Sequence, residues 1–278
     1  MLLATLLALG SAVLHAGWNL LAKRSENPLA SLWLQFSIAA LISGAGLGVL
    51  SVVGDPLPLG AWGWAALTGL VHVPYVLGLG WAYRHGDFSM AYPVARGGGA
   101  LLAAVGGVAV LGDRLDPLMV TGILTIVAGL CLLAVGAPWP QVVAALAVAA
   151  SIGTYTTIDA HASRTYEGVG YTLAVFVCIG VAVMIVPLTV GRGGSFHRPS
   201  RPVLTRAGIG AVMAIVTYGL VLIAVRYAPV GYVAALRESS VLIGALVGWK
   251  VLGEGRGRVR LVASMVVAVG LVVLILGG

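Results

Sequence analysis

Two arginines and one glutamate lie inside long apolar stretches of the sequence, where charged side chains are rare. Arg96 lies within 89–111, and Arg237 and Glu238 lie within 230–252. An arginine at the centre of a helix in lipid costs about 2.5–3.5 kcal/mol, so it normally faces a polar interior or a partner. Arg96 is therefore interpreted as an anchor for an anionic group of a ligand. The alternative is a structural contact, either with Glu238 or with carbonyl groups at a helix end.

Glu238 follows Arg237 directly, so on a helix the two side chains point about 100° apart and at most one of them aims at the centre. Glu238 is either a counter-ion for an arginine or a proton-carrying group, and the first is favoured because buried arginines need a partner. Together with Arg96 the three charges leave a net positive charge. That balance favours an anionic or zwitterionic ligand over a cation.

Histidines and aromatic residues in other apolar stretches are further candidates for binding a ligand. His15, Trp18 and Asn19 share one helical face at i, i+3 and i+4. The remaining candidates are single residues: His72, Tyr75, Tyr92, Tyr155 and Tyr218. Each of them is a ligand contact, an anchor at the membrane surface or a hydrogen-bond partner for a neighbouring helix.

Ten long apolar stretches position these residues. The chain is 60% hydrophobic and 9% charged, whereas soluble domains carry about 25% charged residues. A helix needs about 20 apolar residues to cross a bilayer, and only a helix satisfies its own backbone there over such a length. We therefore predict an all-α integral membrane protein with ten transmembrane helices, at 2–22, 29–53, 61–82, 89–111, 117–136, 140–158, 169–190, 203–224, 230–252 and 259–276.

Two shorter features of these stretches lead to separate predictions. Pro93 and the glycines at 97–99 bracket Arg96, and such a composition either kinks and interrupts a helix or lets helices pack closely. Asp159 and His161 follow the stretch 140–158. They are expected to lie in the solvated loop that follows it.

An internal repeat relates the two ends of the chain. Arg96 stands 16 positions before the glycine of Leu-Gly-Asp at 111–113, and Arg237 stands 16 positions before the glycine of Leu-Gly-Glu at 252–254. Five spans is an odd number, so a repeat of five starts its second copy on the opposite side of the membrane. We predict two inverted five-helix halves around a central cavity, 1–136 and 137–278.

The basic residues of the loops predict how the chain is oriented. Outside the two arginines in the spans, eleven of fourteen Lys and Arg lie in loops 1–2, 3–4, 7–8 and 9–10. Only Arg114, Arg164 and Arg226 lie on the other face. By the positive-inside rule the enriched loops are cytoplasmic and both termini face outward. The net charge of +7 is thus explained by orientation and by anionic lipid at the basic loops, not by nucleic acid.

The short motifs of the chain resemble those of a known family. Leu-His-Ala-Gly-Trp-Asn at 14–19, Tyr-Pro-Val-Ala-Arg-Gly-Gly-Gly at 92–99 and Leu-Gly-Asp at 111–113, with ten spans, look like the EamA-like branch of the drug/metabolite transporter superfamily. The resemblance implies a pseudo-symmetric basket, alternating access, and export of amino acids or related metabolites. The small multidrug resistance relatives keep a carboxylate in the first span, which this chain lacks, and that weakens a role in exporting cationic drugs.

The sequence thus predicts a secondary transporter, an exporter of small anionic or zwitterionic metabolites such as amino acids. It is expected to be a monomer spanning a cell membrane, a bacterial inner membrane in particular. The alternatives are a proton-coupled exporter of hydrophobic cations, and a membrane-embedded enzyme or lipid-handling protein using His15, His72 and Glu238. No nucleophile triad, phosphate-binding loop or metal-ligand spacing occurs in the sequence, so no cofactor, metal or catalytic residue is predicted.

Overall fold

A computed structural model describes the chain except for residues 24–26, 86–87, 134, 136–137, 185–198 and 244–256. The described residues form helices joined by short connections, without a strand among them. In chain order the helices of eight or more residues in the described parts are α1 (Leu2–Lys23), α2 (Pro28–Val52), α3 (Leu59–His85), α4 (Phe88–Leu111), α5 (Pro117–Leu133), α6 (Trp139–Thr165), α7 (Gly170–Val183), α8 (Arg201–Ala224), α9 (Val230–Arg237) and α10 (Gly257–Leu276). The prediction of an all-helical protein is confirmed.

The ends of α2 show how local sequence sets these bounds. Asn27 precedes the helix, and its side chain accepts a hydrogen bond from the Ala30 N–H at 3.1 Å. This bond satisfies one of the N–H groups that have no partner in the first turn. At the other end Gly54 adopts a left-handed φ of 87°, and the Asp55 N–H bonds to the Leu50 carbonyl at 2.9 Å. The helix therefore ends in a glycine turn.

Four helices in the described residues are long and apolar enough to cross a membrane: Ala30–Val52, Val94–Leu111, Trp139–Thr165 and Arg201–Ala224. Four shorter apolar helices accompany them: Leu2–Trp18, Pro117–Leu132, Gly170–Val183 and Val262–Leu276. Large apolar side chains point away from the protein, among them Leu41, Val110 and Leu276. An apolar exterior of this kind is typical of a protein in lipid. The count of ten spans stays a prediction.

Helices of the first half pack against helices of the second. Helix α2 contacts α7, α4 contacts α9, and α5 contacts α10. In the same way α1 contacts α8, and α3 contacts α6. If each helix of the first half is replaced by the helix five positions later, and each helix of the second half by the one five positions earlier, the same set of pairs results. A two-fold relation between the halves would produce this exchange pattern, and the inversion stays a prediction.

The glycines of α4 serve helix packing. The helix runs without a break from Phe88 to Leu111. A Cβ added at Gly98 would lie 2.9 Å from the Cβ of Ala149, and one at Gly99 would lie 2.6 Å from the Ile152 side chain. Both contacts are with α6. Of the two interpretations offered for this segment, the structure shows close packing and not an interrupted helix.

Helices α5 and α10 approach so closely that a methyl group at Gly122 has no room. A Cβ there would lie 2.6 Å from the backbone nitrogen of Leu274, which cannot rotate away as a side chain can. We expect Gly122→Ala to force the helices apart and to cost about 1–3 kcal/mol, measured as a lower melting temperature in detergent. Gly48→Ala is the matched control, because a Cβ at Gly48 meets no atom within 4 Å. Equal melting temperatures for the two variants would contradict the prediction.

Candidate functional site

Arg96 and Glu238 form a buried ion pair between the two halves of the chain. The Arg96 Nη2 donates to Glu238 Oε1 at 2.7 Å, and its Nε donates to Glu238 Oε2 at 3.2 Å. The side chains are only 3% exposed. Such a two-bond contact between a guanidinium and a carboxylate is among the strongest polar contacts in proteins. The role as counter-ion predicted for Glu238, and the ion pair offered as the alternative for Arg96, are both observed.

Arg237 is buried beside this pair but is not part of it. The residue is 4% exposed, and its Nε has no hydrogen-bond partner in the described part of the structure. Both oxygens of the adjacent Glu238 accept from Arg96 instead. Buried polar groups are nearly always hydrogen-bonded, and an exception calls for an explanation. An Nε–H group in the interior without a partner among the described residues is suited to donate to an anionic group.

The backbone is irregular where these charges lie. Helix α9 ends at Arg237, and Glu238 forms a turn before helix resumes over 239–243. The Glu238 N–H bonds to the Ala235 carbonyl at 3.0 Å, and the Val241 N–H bonds to the Glu238 carbonyl at 2.9 Å. These bonds span three residues in place of four, so the helix is tightened at this point. Interrupted helices occur at the binding sites of many transporters. Sequence reasoning placed a possible interruption in span 4, and the observed one is in the second half.

Aromatic rings and histidines surround the charges. His15 contacts the Trp18 ring edge-on at 5.0 Å between centroids, and the charges of Arg96 and Arg237 act on this histidine. The predicted site residues that are buried near one another are Arg96, Arg237, Glu238, His15, Trp18, His72, Tyr75, Tyr155 and Tyr218, and we call them the central cluster. Of the other candidates, the side chains of Asn19 and Tyr92 lie outside the described residues.

Tyr155 joins the parts of this cluster. Its ring lies 4.2 Å from that of His72, 6.0 Å from that of Tyr75 and 6.1 Å from that of Tyr218. The charges of both cluster arginines act on its hydroxyl. One part of the cluster is therefore aromatic, and another part is charged. A small molecule with an acidic group and an organic body matches both parts.

Asp159 is buried, contrary to the prediction that it lies in a solvated loop. Helix α6 continues seven residues past the predicted end at 158 and includes both Asp159 and His161. Asp159 has no exposed surface, and it accepts hydrogen bonds from Thr68 and Tyr171 at 2.5 Å each and from Tyr218. The prediction was wrong because hydroxyl groups of three other helices, distant in sequence, provide this polar pocket.

One signal in the sequence pointed to Asp159. It follows Tyr155 by four residues, so the two share a helical face, and Tyr155 was already a candidate for the site. His161 does lie at the surface, where its ring packs edge-on against Trp64 at 4.9 Å. His161 is thus exposed as expected, but it lies on a helix and not in a loop.

A second group of polar contacts fastens three connections at one end of the helices. The Asp113 Oδ1 accepts from Arg164 Nη1 at 2.8 Å, and its Oδ2 accepts from the Val230 N–H at the start of α9 at 2.6 Å. Arg164 also donates through Nε to the Val225 carbonyl at 2.8 Å. We call Asp113, Arg164 and Val230 the end clamp. A carboxylate at a helix N-terminus is stabilising because it faces unpaired N–H groups and the positive end of the helix dipole.

The second half of the chain, residues 139–276, matches the EamA-like transporter family. The second half of this chain belongs to the EamA-like transporter family. The match agrees with membership of the drug/metabolite transporter superfamily, as the motifs predicted. This EamA-like protein is thus a membrane transporter of that type, and its apolar helices agree with a multi-pass membrane protein.

Solved structures extend the likeness to the whole EamA-like chain. One of them is the crystal structure of a protein that superposes on this chain with a TM-score of 0.74 at 20% sequence identity. The superposition covers 99% of this chain and 98% of that chain. At that identity the likeness concerns the fold alone. No curated protein matches the chain in sequence.

Proposed function

We propose that this EamA-like protein is a secondary transporter that exports small anionic or zwitterionic metabolites, such as amino acids, by alternating access. The observation that carries the proposal is the buried Arg237, whose Nε has no partner among the residues that the structure describes. We further propose that the chain acts as a monomer in a bacterial inner membrane, built as two inverted five-helix halves.

In this proposal Arg237 holds the carboxylate of the substrate. Arg96 was the first candidate for that role, but its contact with Glu238 already occupies two of its donors. Arg237 has the same chemistry without such a contact. A guanidinium binds a carboxylate through two parallel hydrogen bonds, so a substrate carboxylate would satisfy the open donor and neutralise the charge.

Export of hydrophobic cations is the second candidate, and Asp159 favours it. A buried carboxylate among tyrosine rings is a plausible partner for an organic cation, since aromatic faces attract positive charge. The membrane-embedded enzyme is less well supported. Glu238 is bound to Arg96, and His72 Nδ1 lies 2.8 Å from the Thr68 carbonyl. Two of the three residues predicted to act in such an enzyme therefore already make structural contacts.

Counterflow in proteoliposomes tests the proposal. The purified protein is reconstituted with L-leucine, L-glutamate or tetraphenylphosphonium inside, and uptake of the same labelled compound is followed. We expect exchange of at least one amino acid and none of tetraphenylphosphonium. Exchange of tetraphenylphosphonium without either amino acid would reject the proposal in favour of cation export. Stabilisation of the folded protein by each compound in detergent provides an independent measure of binding.

The contacts of the loop arginines sharpen the orientation prediction. Arg164 belongs to the end clamp, and Arg226 donates to Ser163 Oγ at 3.0 Å, so two of the three cations on the sparsely charged face have structural partners. We expect a reporter fused at Gly278 to behave as periplasmic and one fused after residue 200 to behave as cytoplasmic. The reverse pair of results would invert the orientation.

A further inference from the structure

Asp159 is a buried carboxylate whose hydrogen bonds all come from neutral groups. Thr68 of α3, Tyr171 of α7 and Tyr218 of α8 donate to it, and the described residues offer it no other partner. By contrast, both oxygens of Glu238 accept from a guanidinium. An ionised carboxylate without a cation is strongly disfavoured in an apolar interior, and uptake of a proton relieves the cost.

A pocket of hydroxyl groups suits both forms of a carboxyl group. The ionised form accepts a hydrogen bond from each of the three hydroxyls. The protonated form donates its own O–H to one of them, which can accept because a hydroxyl oxygen carries lone pairs as well as a hydrogen. A guanidinium has no acceptor and could not make that change. The surroundings of Asp159 therefore permit a proton to bind and leave, whereas the guanidinium that contacts Glu238 offers no acceptor for a carboxylic O–H.

Two tyrosines connect Asp159 to the central cluster. Tyr218 donates to Asp159, and its ring lies 6.1 Å from that of Tyr155, which precedes Asp159 by one helical turn. Arg237 interacts electrostatically with both tyrosines. A substrate whose carboxylate is bound at Arg237 thus has its remaining groups beside these rings and within reach of the charge of Asp159.

Other titratable groups surround the pocket on every helix packed there. They are His72 on α3, Tyr155 and His161 on α6, Tyr171 and Cys178 on α7, and Tyr218 on α8. The charged groups Arg96, Arg237 and Glu238 interact electrostatically with the Tyr155 hydroxyl. Of the uncharged groups, His72 is the buried imidazole beside Tyr155, and its ring could also carry a proton. A test must therefore separate Asp159 from His72.

We propose that Asp159 carries the coupling proton and releases it when the ammonium group of a zwitterionic substrate binds beside Tyr155 and Tyr218. The inference rests on the proposed function and narrows its substrates to zwitterions. In the step the carboxylic O–H bond breaks, the electron pair stays on the carboxylate, and the proton passes to water on the open side. The departing proton takes one positive charge out of the pocket, and the ammonium group of the substrate replaces it. Proton and substrate occupy the site in turn, so they move in opposite directions.

Proton release on binding tests the proposal without any substitution. The wild-type protein in weakly buffered detergent receives L-leucine or 4-methylpentanoate, which has the leucine skeleton without the amino group, and an indicator dye records the pH. We expect a proton for each leucine bound, counted by calorimetry, and none for 4-methylpentanoate. Leucine binding without release, or equal release by both compounds, would overturn the proposal.

Variants identify the proton donor. Asp159→Asn should bind leucine without proton release, Asp159→Glu should restore release, and the exposed Glu167→Gln is the control that should release like wild type. His72→Gln changes a residue of the central cluster, so it should weaken leucine binding but keep the release of one proton for each leucine bound. Loss of release in His72→Gln together with normal release in Asp159→Asn would assign the proton to the histidine and overturn the proposal.

A last arm separates failure of this inference from failure of the proposed function. If neither L-leucine nor L-glutamate binds or exchanges, the transport proposal fails. Infrared difference spectra of the ligand-free protein, recorded between acidic and neutral pH, still decide the proton site. A carboxylic-acid band that appears on acidification in wild type and is missing in Asp159→Asn supports it, and identical bands in both proteins reject it.

Discussion

Arg237→Gln is expected to weaken binding of the amino-acid substrate by one to two orders of magnitude while making the ligand-free protein more stable. Glutamine removes the charge that the substrate carboxylate needs, and a hydrogen bond to a charged group contributes about 1.5–3 kcal/mol, or roughly 10–100-fold in affinity. The same change relieves the folded protein of a buried guanidinium whose Nε has no partner in the described part of the chain. A scaffold arginine would show the opposite effect on stability.

Two measurements on the same preparation check this prediction, counterflow of L-leucine or L-glutamate and the melting temperature in detergent. Arg237→Lys retains the charge but lacks the planar fork, so it should recover only part of the affinity. Arg201→Gln is the matched control, because Arg201 is exposed at the start of α8. Normal exchange by Arg237→Gln would remove Arg237 from the site.

Arg96→Ala is expected to lower the yield of folded protein. The substitution leaves Glu238 buried without its guanidinium, and breaking one side of a buried ion pair costs about 3–5 kcal/mol. The double variant Arg96→Ala with Glu238→Gln removes the uncompensated charge and should recover folded protein. Yield of monodisperse protein on size-exclusion chromatography measures both effects.

Transport by that double variant separates scaffold from substrate contact. Because the structure pairs Arg96 with Glu238, we expect exchange close to wild type after normalisation to folded protein. A double variant that folds but does not exchange would show that Arg96 also contacts the substrate, as the sequence first suggested. Arg96→Lys should fold better than Arg96→Ala, since it keeps a positive charge near Glu238.

The helices could be predicted from the sequence because the bilayer requires long apolar stretches, and most observed bounds fall close to those expected. The end of α6 could not be predicted in this way. The apolar stretch stops at 158, but the helix continues because Thr68, Tyr171 and Tyr218 provide a buried polar pocket for Asp159. Hydropathy along one segment carries no information about side chains that other helices contribute.

The candidate site could be predicted in its composition but not in its pairing. Arg96, Arg237 and Glu238 were conspicuous because charges are rare in the spans. Which arginine binds Glu238 depends on how α4 meets the turn after α9, a contact between residues 142 positions apart. Sequence spacing places both arginines at similar depths. Only the packing shows that Arg96 is paired with Glu238 and that the Nε of Arg237 has no partner among the described residues.

The end clamp has a consequence for the direction of flux. Opening that end of the protein to solvent requires the contacts of Asp113 with Arg164 and with the Val230 N–H to break together, so an empty carrier has a free-energy barrier on that side. In the predicted orientation this side faces outward. Under the proposed alternating access, external solutes would then seldom load the site. The clamp would thus favour outward over inward flux when the substrate concentration is equal on the two sides and an ion gradient drives the transport cycle.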